Sequence, residues 1–303
     1  MNLGLMFTGQ GSESLGMGLD LIENIDFIKQ RFVKAESVLG YDPIAALNDE
    51  KTFQNTSIIQ PLTYLFQTSI LDYLKSLGFE STTTFGLSLG EYASLYDAGV
   101  FSFEEGLDIL KHRGKYMQEN VEDTPGKMCA FIGIKAKELE AIIDPIDDVY
   151  LVNYNTPKQL VVSGSQVGID QAILEAKEKG LKRAIYLETV GAFHSPFMKS
   201  AKKQFEQYLS AYKFNTPTKL IYANVTGNIL EGSVKDNMVN QVTSPVRFYQ
   251  IVEQLQDIDL LIEIGPKNVL CNMVKRINRS IKTQLINDVS TLTQSLEVLE
   301  DEF

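Results

Sequence analysis

Residues 81–96 constrain this chain more than any other stretch. Ser81-Thr82-Thr83-Thr84-Phe85 is rich in β-branched residues and predicts a short strand. Gly86-Leu87-Ser88-Leu89-Gly90 follows, and Glu91-Tyr92-Ala93-Ser94-Leu95-Tyr96 predicts a helix. The middle five residues spell G-x-S-x-G, the sharp strand-to-helix turn that pushes a serine hydroxyl out of a sheet. A loop serine between two turn glycines would spell the same letters. The strand and the helix on either side favour the elbow.

A serine hydroxyl at its ordinary pKa is a poor nucleophile and needs a positioned base. The chain has two histidines, His112 and His194, and imidazole is the side chain that titrates near neutrality. His194 lies in Gly191-Ala192-Phe193-His194-Ser195-Pro196, a loop of small residues before a helix. His112 lies inside a long predicted helix beside Arg113. The loop position favours His194 as the base.

A chain of 303 residues holds one large domain or two ordinary ones and buries a sizeable core without staples. A net charge of −11 argues against general nucleic-acid binding. No apolar run approaches a membrane span. Leu3–Phe7 is too short for a signal peptide and lacks a basic flank, so a cytoplasmic protein is expected. Cys129 and Cys271 each stand alone in apolar stretches, which reads as buried reduced thiols and not a disulfide framework or a zinc site. Two basic clusters break the acidic balance: Lys199, Lys202 and Lys203 after the His194 loop, and Lys267, Lys275, Arg276, Arg279 and Lys282 near the C-terminus. They read either as solvated helix faces or as a local patch for an anionic partner.

Along the chain, Leu3–Phe7 predicts a strand ending in Thr8-Gly9-Gln10-Gly11-Ser12. That loop lacks the third glycine of G-x-G-x-x-G and the G-K-[ST] of a phosphate cradle. Its better use is to bring backbone N–H groups close to a reacting atom. Helical spacing covers Ile25–Leu39 and Ile58–Leu77, and Ser102-Phe103-Glu104-Glu105 is a capping box opening a helix to about Asn120. Between Gly126 and Leu187 the order is strand Met128–Ile134, helix Ala136–Ile143, strands Val149–Asn155 and Gln159–Ser163, helix Val167–Lys179 and strand Ala184–Leu187. This β-α-β-β-α-β order is ferredoxin-like. It divides the chain into an α/β core, residues 1–125 and 188–303, and an inserted subdomain, residues 126–187. Strands Leu220–Ala223 and Leu260–Ile264 alternate with helices Arg247–Leu255 and Asn268–Ile277, implying a mainly parallel sheet in the core.

With these pieces in order, the sequence resembles the malonyl-CoA:acyl-carrier-protein transacylase family over nearly its whole length. The resemblance rests on Gly9-Gln10-Gly11, Ser88-Leu89-Gly90-Glu91-Tyr92 and Arg113-Gly114-Lys115-Tyr116-Met117-Gln118. It continues through Asn153-Tyr154-Asn155-Thr156-Pro157, the His194 loop, Gln241 with Ser244-Pro245-Val246, and Glu263-Ile264-Gly265-Pro266. It implies an α/β-hydrolase-like core with a mainly parallel sheet and an inserted ferredoxin-like subdomain. It also implies that Ser88 is acylated by malonyl-CoA and passes malonyl to the phosphopantetheine thiol of acyl carrier protein, serving fatty-acid or polyketide synthesis.

By the same resemblance His194 is the base, and the main-chain carbonyl of Gln241 orients it as an aspartate does in a triad. The backbone N–H groups of Gln10 and Leu89 form the oxyanion hole. Arg113 binds the malonyl carboxylate, a role that suits a planar, permanently charged guanidinium. Phe193 stands where malonyl-selective members carry a bulky ring. No metal and no cofactor are implied, malonyl-CoA being a substrate. The partners are acyl carrier protein and malonyl-CoA, with no nucleic acid and no membrane, and a monomer is expected. Leu87 departs from the histidine that the family usually has before the serine, which puts rate or acyl selectivity in doubt. Two other readings use the same residues: an acyl-thioester hydrolase with the Ser88–His194 pair, and a non-catalytic carrier-protein binding module.

Overall fold

The structure, a computed structural model, describes residues 2–188 and 191–302. Its strands are Leu3–Phe7 (β1), Thr83–Gly86 (β2), Lys127–Ile132 (β3), Val149–Thr156 (β4), Gln159–Gly164 (β5), Arg183–Tyr186 (β6), Leu220–Ile221 (β7), Leu260–Ile264 (β8) and Lys282–Ile286 (β9). The chain divides into two compact units. The first comprises Met1–Lys115, Tyr212–Tyr222 and Leu255–Phe303; the second comprises Tyr116–Ala211 and Ala223–Gln254.

The first unit is built on a five-stranded sheet in the order β7-β2-β1-β8-β9, and every pairing is parallel. Parallel neighbours require crossover connections, which put helices against the sheet and leave its central strands no wet face. Accordingly β1 and β8 are buried at all five positions. β9 has no counterpart in the sequence reading. As the outer strand it stays exposed or half-buried until Ile286, so it lacks the apolar run that announces a strand.

The register sets up the site. Phe7 lies opposite Gly86, so the loops after β1 and β2 leave the sheet side by side at its carboxyl end. In open α/β sheets that end is where ligands bind. The elements flanking the elbow are also tied together at their far ends. Ser81, before β2, donates to the Asp97 carboxylate (2.7 Å) at the end of the Gly90–Asp97 helix. Lys75 and Lys219 meet the same carboxylate at 2.8 and 2.9 Å. The capping box forms as read: the Ser102 N–H donates to Glu105 Oε2 (2.7 Å) and the Glu105 N–H to Ser102 Oγ (3.2 Å), opening the helix Phe103–Asp123. At the end of β8, the buried Glu263 carboxylate accepts the N–H groups of Val269, Leu270 and Cys271 and so caps the helix Leu270–Ile277.

The second unit carries a four-stranded antiparallel sheet in the order β4-β5-β3-β6, with helices Ala136–Ile143 and Gln166–Glu178 as its connections. Phe131, Leu139, Leu160, Val162 and Ile169 are among its fully buried core residues. This is the ferredoxin-like arrangement. The compact unit is larger than this motif, since it also holds helices Lys199–Leu209, Val234–Gln241 and Phe248–Gln254. A bridge from Asn153 to Val246 joins β4 to that added part, with Tyr154 N–H to Val246 O at 2.9 Å and Val246 N–H to Val152 O at 2.8 Å. Cys129 and Cys271 are buried and free, and burial pushes the Cys129 thiol up to about 11. Among the described residues no helix is long and apolar enough to cross a membrane.

Asp97 offers a test of what anchors the elbow. Burial alone would raise its carboxyl, but Lys75 and Lys219 outweigh burial and hold it below the ordinary carboxylate range. A depressed folded pKa means that the stabilisation is complete above the unfolded value of about 3.9 and is lost as pH falls through the folded value. Asp97→Asn is expected to lower the unfolding free energy by about 3 kcal/mol at pH 7, and by progressively less below pH ~4. Denaturant titrations across that range measure it. A deficit constant from pH 7 to pH 3 would mean that the charge is not what matters.

Candidate active site

Ser88 sits at φ 53°, in the left-handed region. Only four non-glycine residues do so among those described, Ser88, Asp148, His194 and Asp257, and two of them are the serine and the histidine singled out from sequence. An L-residue there costs roughly 1–2 kcal/mol and persists only where its surroundings impose it. They do. A Cβ on Gly86 would lie 2.1 Å from the Gly90 carbonyl carbon, and one on Gly90 would lie 2.1 Å from Phe7 O. The turn is therefore pressed against β1, and only glycine fits on either side of the serine. Leu87 contributes its main chain: its N–H donates to Phe7 O (2.9 Å) and its carbonyl accepts from Gly90 N (3.0 Å). The turn stands whatever side chain residue 87 carries.

The helix Gly90–Asp97 begins directly after the serine, with Leu89 at its N-cap. The first N–H groups of a helix have no partner within it. Neither the Leu89 nor the Gln10 N–H donates a hydrogen bond to another described residue. Gly9 packs against the Leu87 carbonyl, where a Cβ would come within 2.6 Å, so the β1 loop runs along the elbow. The loop is pinned by one bond from the Thr56–Ser76 helix and by two of its own. Gln67 donates to Thr8 O (2.8 Å), Ser12 Oγ to Gly9 O (3.0 Å) and Gly11 N–H to Glu13 Oε2 (2.6 Å). Backbone N–H groups on the elbow and on the loop that runs along it are the kind of donor that an oxyanion needs.

Arg113 is 1% exposed. Its Nη1 donates to Gln60 Oε1 at 2.7 Å, and its guanidinium carbon lies 5.3 Å from the centre of the Tyr92 ring. Tyr92 is one turn beyond Ser88 on the helix that starts at the elbow. Burial pushes its phenol up to about 12, so at neutral pH it presents no charge to the arginine. A guanidinium this deep keeps its charge and favours an anion nearby. His112, on the same helix, bonds through Nδ1 to the carbonyl of Asp108 (2.9 Å), one turn earlier.

In the second unit, His194 is 5% exposed and sits at φ 60°. Its Nδ1 lies 2.9 Å from the carbonyl of Gln241. A carbonyl can only accept, so Nδ1 carries the proton and the neutral ring keeps Nε2 as its basic lone pair. Gln241 ends the helix Val234–Gln241. Pro245, four residues on, has no N–H to offer its carbonyl. That oxygen is thus a helix C-terminal acceptor at the negative end of the dipole, which favours a positive imidazolium. Asn120 holds the chain beyond the histidine, donating to Phe197 O (2.9 Å) and accepting from the Ala201 N–H (3.0 Å). Phe193 is buried beside it. His194 also forms part of the wall of a cavity of about 530 Å³, lined too by Glu140, Asp144, Asp147 and Pro245.

Gln10, Ser88, Leu89 and Arg113 thus lie in the first unit, and Phe193, His194 and Gln241 in the second. Sequence reading missed Gln60, Asn120 and the part played by Pro245. Gln60 left a trace: Thr56, Gln60, Thr63 and Gln67 recur at spacings of four, three and four along a helix buried over most of its length, the mark of one polar stripe. The trace is genuine, since all four are buried.

The acyl transferase domain profile matches residues 5–294. The malonyl CoA-acyl carrier protein transacylase of Bacillus subtilis is 33% identical across 99% of this chain and 98% of its own length. The crystal structure of malonyl CoA-acyl carrier protein transacylase from Clostridium perfringens superposes with a TM-score of 0.95 at 32% identity, covering 100% of this chain and 98% of that one. A malonyl-transacylase solved in complex with a type II polyketide acyl-carrier protein gives a TM-score of 0.94 at 31% identity, covering 98% and 99%.

The left-handed serine makes a stability prediction with an inverted sign. At an ordinary position alanine is more stable than glycine by about 0.4–1 kcal/mol. At residue 88 the order should reverse, with Ser88→Gly more stable than Ser88→Ala by about 1 kcal/mol. Paired denaturant melts decide it; an alanine variant as stable as the glycine one would remove the strain argument.

Proposed function

We propose that this chain, which belongs to the malonyl-CoA:acyl-carrier-protein transacylase family of acyl transferases, moves a malonyl group from malonyl-CoA to the phosphopantetheine thiol of an acyl carrier protein. The observation that carries the substrate choice is Arg113, a buried guanidinium fixed by Gln60 in the same unit as the strained Ser88. Malonyl is an acyl group with a free carboxylate, and a guanidinium can bind it through two parallel hydrogen bonds.

In the proposed cycle, Ser88 Oγ attacks the thioester carbonyl of malonyl-CoA while its proton passes to His194 Nε2. The Gln10 and Leu89 N–H groups receive the oxyanion. Collapse of the tetrahedral adduct expels the CoA sulfur, which takes the proton back from His194 and leaves malonyl as an ester on Ser88. The carrier thiol then gives its proton to His194 and attacks that ester; collapse of this second adduct leaves malonyl as a thioester on the carrier, and Ser88 Oγ departs taking the proton back from His194. Gln241 O holds the imidazole in one tautomer throughout, and the helix end steadies its transient charge. Phe193 crowds substituents on the acyl chain. No step calls for a metal or a cofactor. Residues 126–187 are read as the inserted subdomain and residues 1–125 with 188–303 as the catalytic core; the separate antiparallel sheet β3–β6 supports the insertion, while the compact unit that holds it extends to Tyr116–Ala211 and Ala223–Gln254. A cytoplasmic location belongs to the same reading, supported by two buried free thiols.

Intact mass after brief exposure to malonyl-CoA should reveal one malonyl adduct, absent in Ser88→Ala. His194→Ala should slow its formation by orders of magnitude. Adding carrier protein separates the outcomes: label on the carrier means transferase, free malonate means hydrolase, and no label means a binding module. Arg113→Ala should reduce malonyl transfer by about 2–5 kcal/mol in kcat/KM and acetyl transfer far less. Equal losses for both acyl groups would move the clamp elsewhere.

Docking of an acidic carrier onto an acidic enzyme needs local positive charge. On the helix Lys199–Leu209, Lys199 and Lys203 are exposed, while Lys202 donates to Asn240 Oδ1 (2.7 Å), next to Gln241. Reversing Lys199 and Lys203 to glutamate, and sparing Lys202, should weaken kcat/KM for the carrier and flatten its salt dependence. Self-malonylation should change less. Carrier kinetics identical to wild type from low to moderate salt would take this helix out of the docking surface.

A further inference from the structure

Apart from the contact of Gln60 with Arg113, the polar stripe on the Thr56–Ser76 helix has no role in the cycle above, yet it is expensive to bury. Thr56, Gln60, Thr63 and Gln67 are each no more than 1% exposed, and buried polar groups persist where they are hydrogen-bonded. All four face the loop after β1 or its neighbours. Gln67 donates to Thr8 O (2.8 Å), and Thr63 Oγ1 to Glu13 Oε1 (3.2 Å). Gln60 Nε2 reaches Gln10 Oε1, and Gln10 Nε2 reaches Thr56 Oγ1, both at a long 3.4 Å. Gln60 differs from the rest because its other end accepts from Arg113 Nη1 at 2.7 Å.

The direction of this relay is fixed at one end. A guanidinium has no acceptor, so the Gln60 atom facing it must be the carbonyl oxygen. The amide nitrogen of Gln60 is then the group turned to Gln10, whose own oxygen receives it and whose nitrogen turns to Thr56. One arginine thereby orients two amides over a path that ends at the loop supplying an oxyanion N–H.

We propose that Gln60 is the positioning residue for acyl selection: it aims the Arg113 guanidinium and joins it to the Gln10 loop, so that seating a carboxylate on Arg113 favours the oxyanion geometry around Ser88. The inference rests on the functional reading given above. Glutamine suits the position because it is neutral. It gives the guanidinium an acceptor without neutralising it, which leaves the charge for an acyl carboxylate. Glutamate would be a permanent competitor for that charge, and methionine would offer no donor and only a weak thioether acceptor.

The test uses full-length protein and measures acylation of Ser88 by malonyl-CoA and by acetyl-CoA, followed by intact mass over time. Gln60→Glu, nearly the same shape, should raise KM for malonyl-CoA at least tenfold and lower the malonyl-to-acetyl ratio of kcat/KM by 10-fold to 100-fold. Gln60→Met should lower the same ratio because it removes the acceptor that aims Arg113; both variants lose the donor to Gln10, so each should lower kcat as well. Wild-type protein that takes up no malonyl would overturn the functional reading and not this inference. Wild-type protein that is malonylated, with variants slowed equally for both acyl groups, would make Gln60 merely structural and overturn the inference. Should Gln60→Met not fold, Gln60→Glu carries the decision alone: an unchanged ratio sinks the proposal.

Discussion

The site depends on a backbone collision avoided by the absence of two side chains. The chain must turn from β2 into a helix within a few residues and lie so close to β1 that a methyl group at Gly86 or Gly90 would occupy the same space as main-chain atoms. That contact forces Ser88 into the left-handed region. It also aligns the start of the helix with the end of the sheet and sets the β1 loop alongside. Serine geometry, the course of the β1 loop along the elbow and the approach of Tyr92 to Arg113 follow from one close packing of three backbone segments.

Holding such a turn needs stiffness around it, and the surrounding elements supply it with polar groups buried in pairs and networks. Asp97 with Lys75, Lys219 and Ser81 fastens the flanks of the elbow. Glu263 caps a helix from inside the core, with three N–H donors on one carboxylate. The stripe on the Thr56–Ser76 helix fastens the loop. The network is incomplete at one point, since Gln67 Oε1 is buried without a hydrogen-bond partner among the described residues, and an unmet buried acceptor is costly. The network's presence in the first unit is consistent with a region selected for geometry as well as for stability.

The elbow, the capping box and the helix Ala136–Ile143 were legible from sequence because each is a local pattern: a turn between two periodic segments, a reciprocal pair three residues apart, an amphipathic run. β9 was not, because an outer strand of a parallel sheet need not be apolar. The extent of the second compact unit was not either, since it depends on Val246 joining β4 across some ninety residues of chain. The same division holds at the site. Ser88 and its glycines can be read off five letters, whereas Gln60 meets Arg113 across 53 residues and Asn120 meets Phe197 across 77. A hydrogen bond between distant residues leaves no periodic mark on either partner, and only the stripe to which Gln60 belongs leaves a trace.

The acceptor behind His194 has an evolutionary consequence. Where an aspartate orients a histidine, a single codon change deletes the oxygen. Here the oxygen belongs to the peptide unit, and every amino acid carries one. Drift in the side chain at position 241 leaves it in place. Vulnerability moves instead to whatever fixes the end of that helix, including the proline four residues on, whose replacement would introduce an N–H able to compete for the same lone pairs. The orientation of this histidine is thereby inherited through the path of the backbone more than through the identity of one residue, and its failures would surface as altered helix ends at positions that look remote from the imidazole.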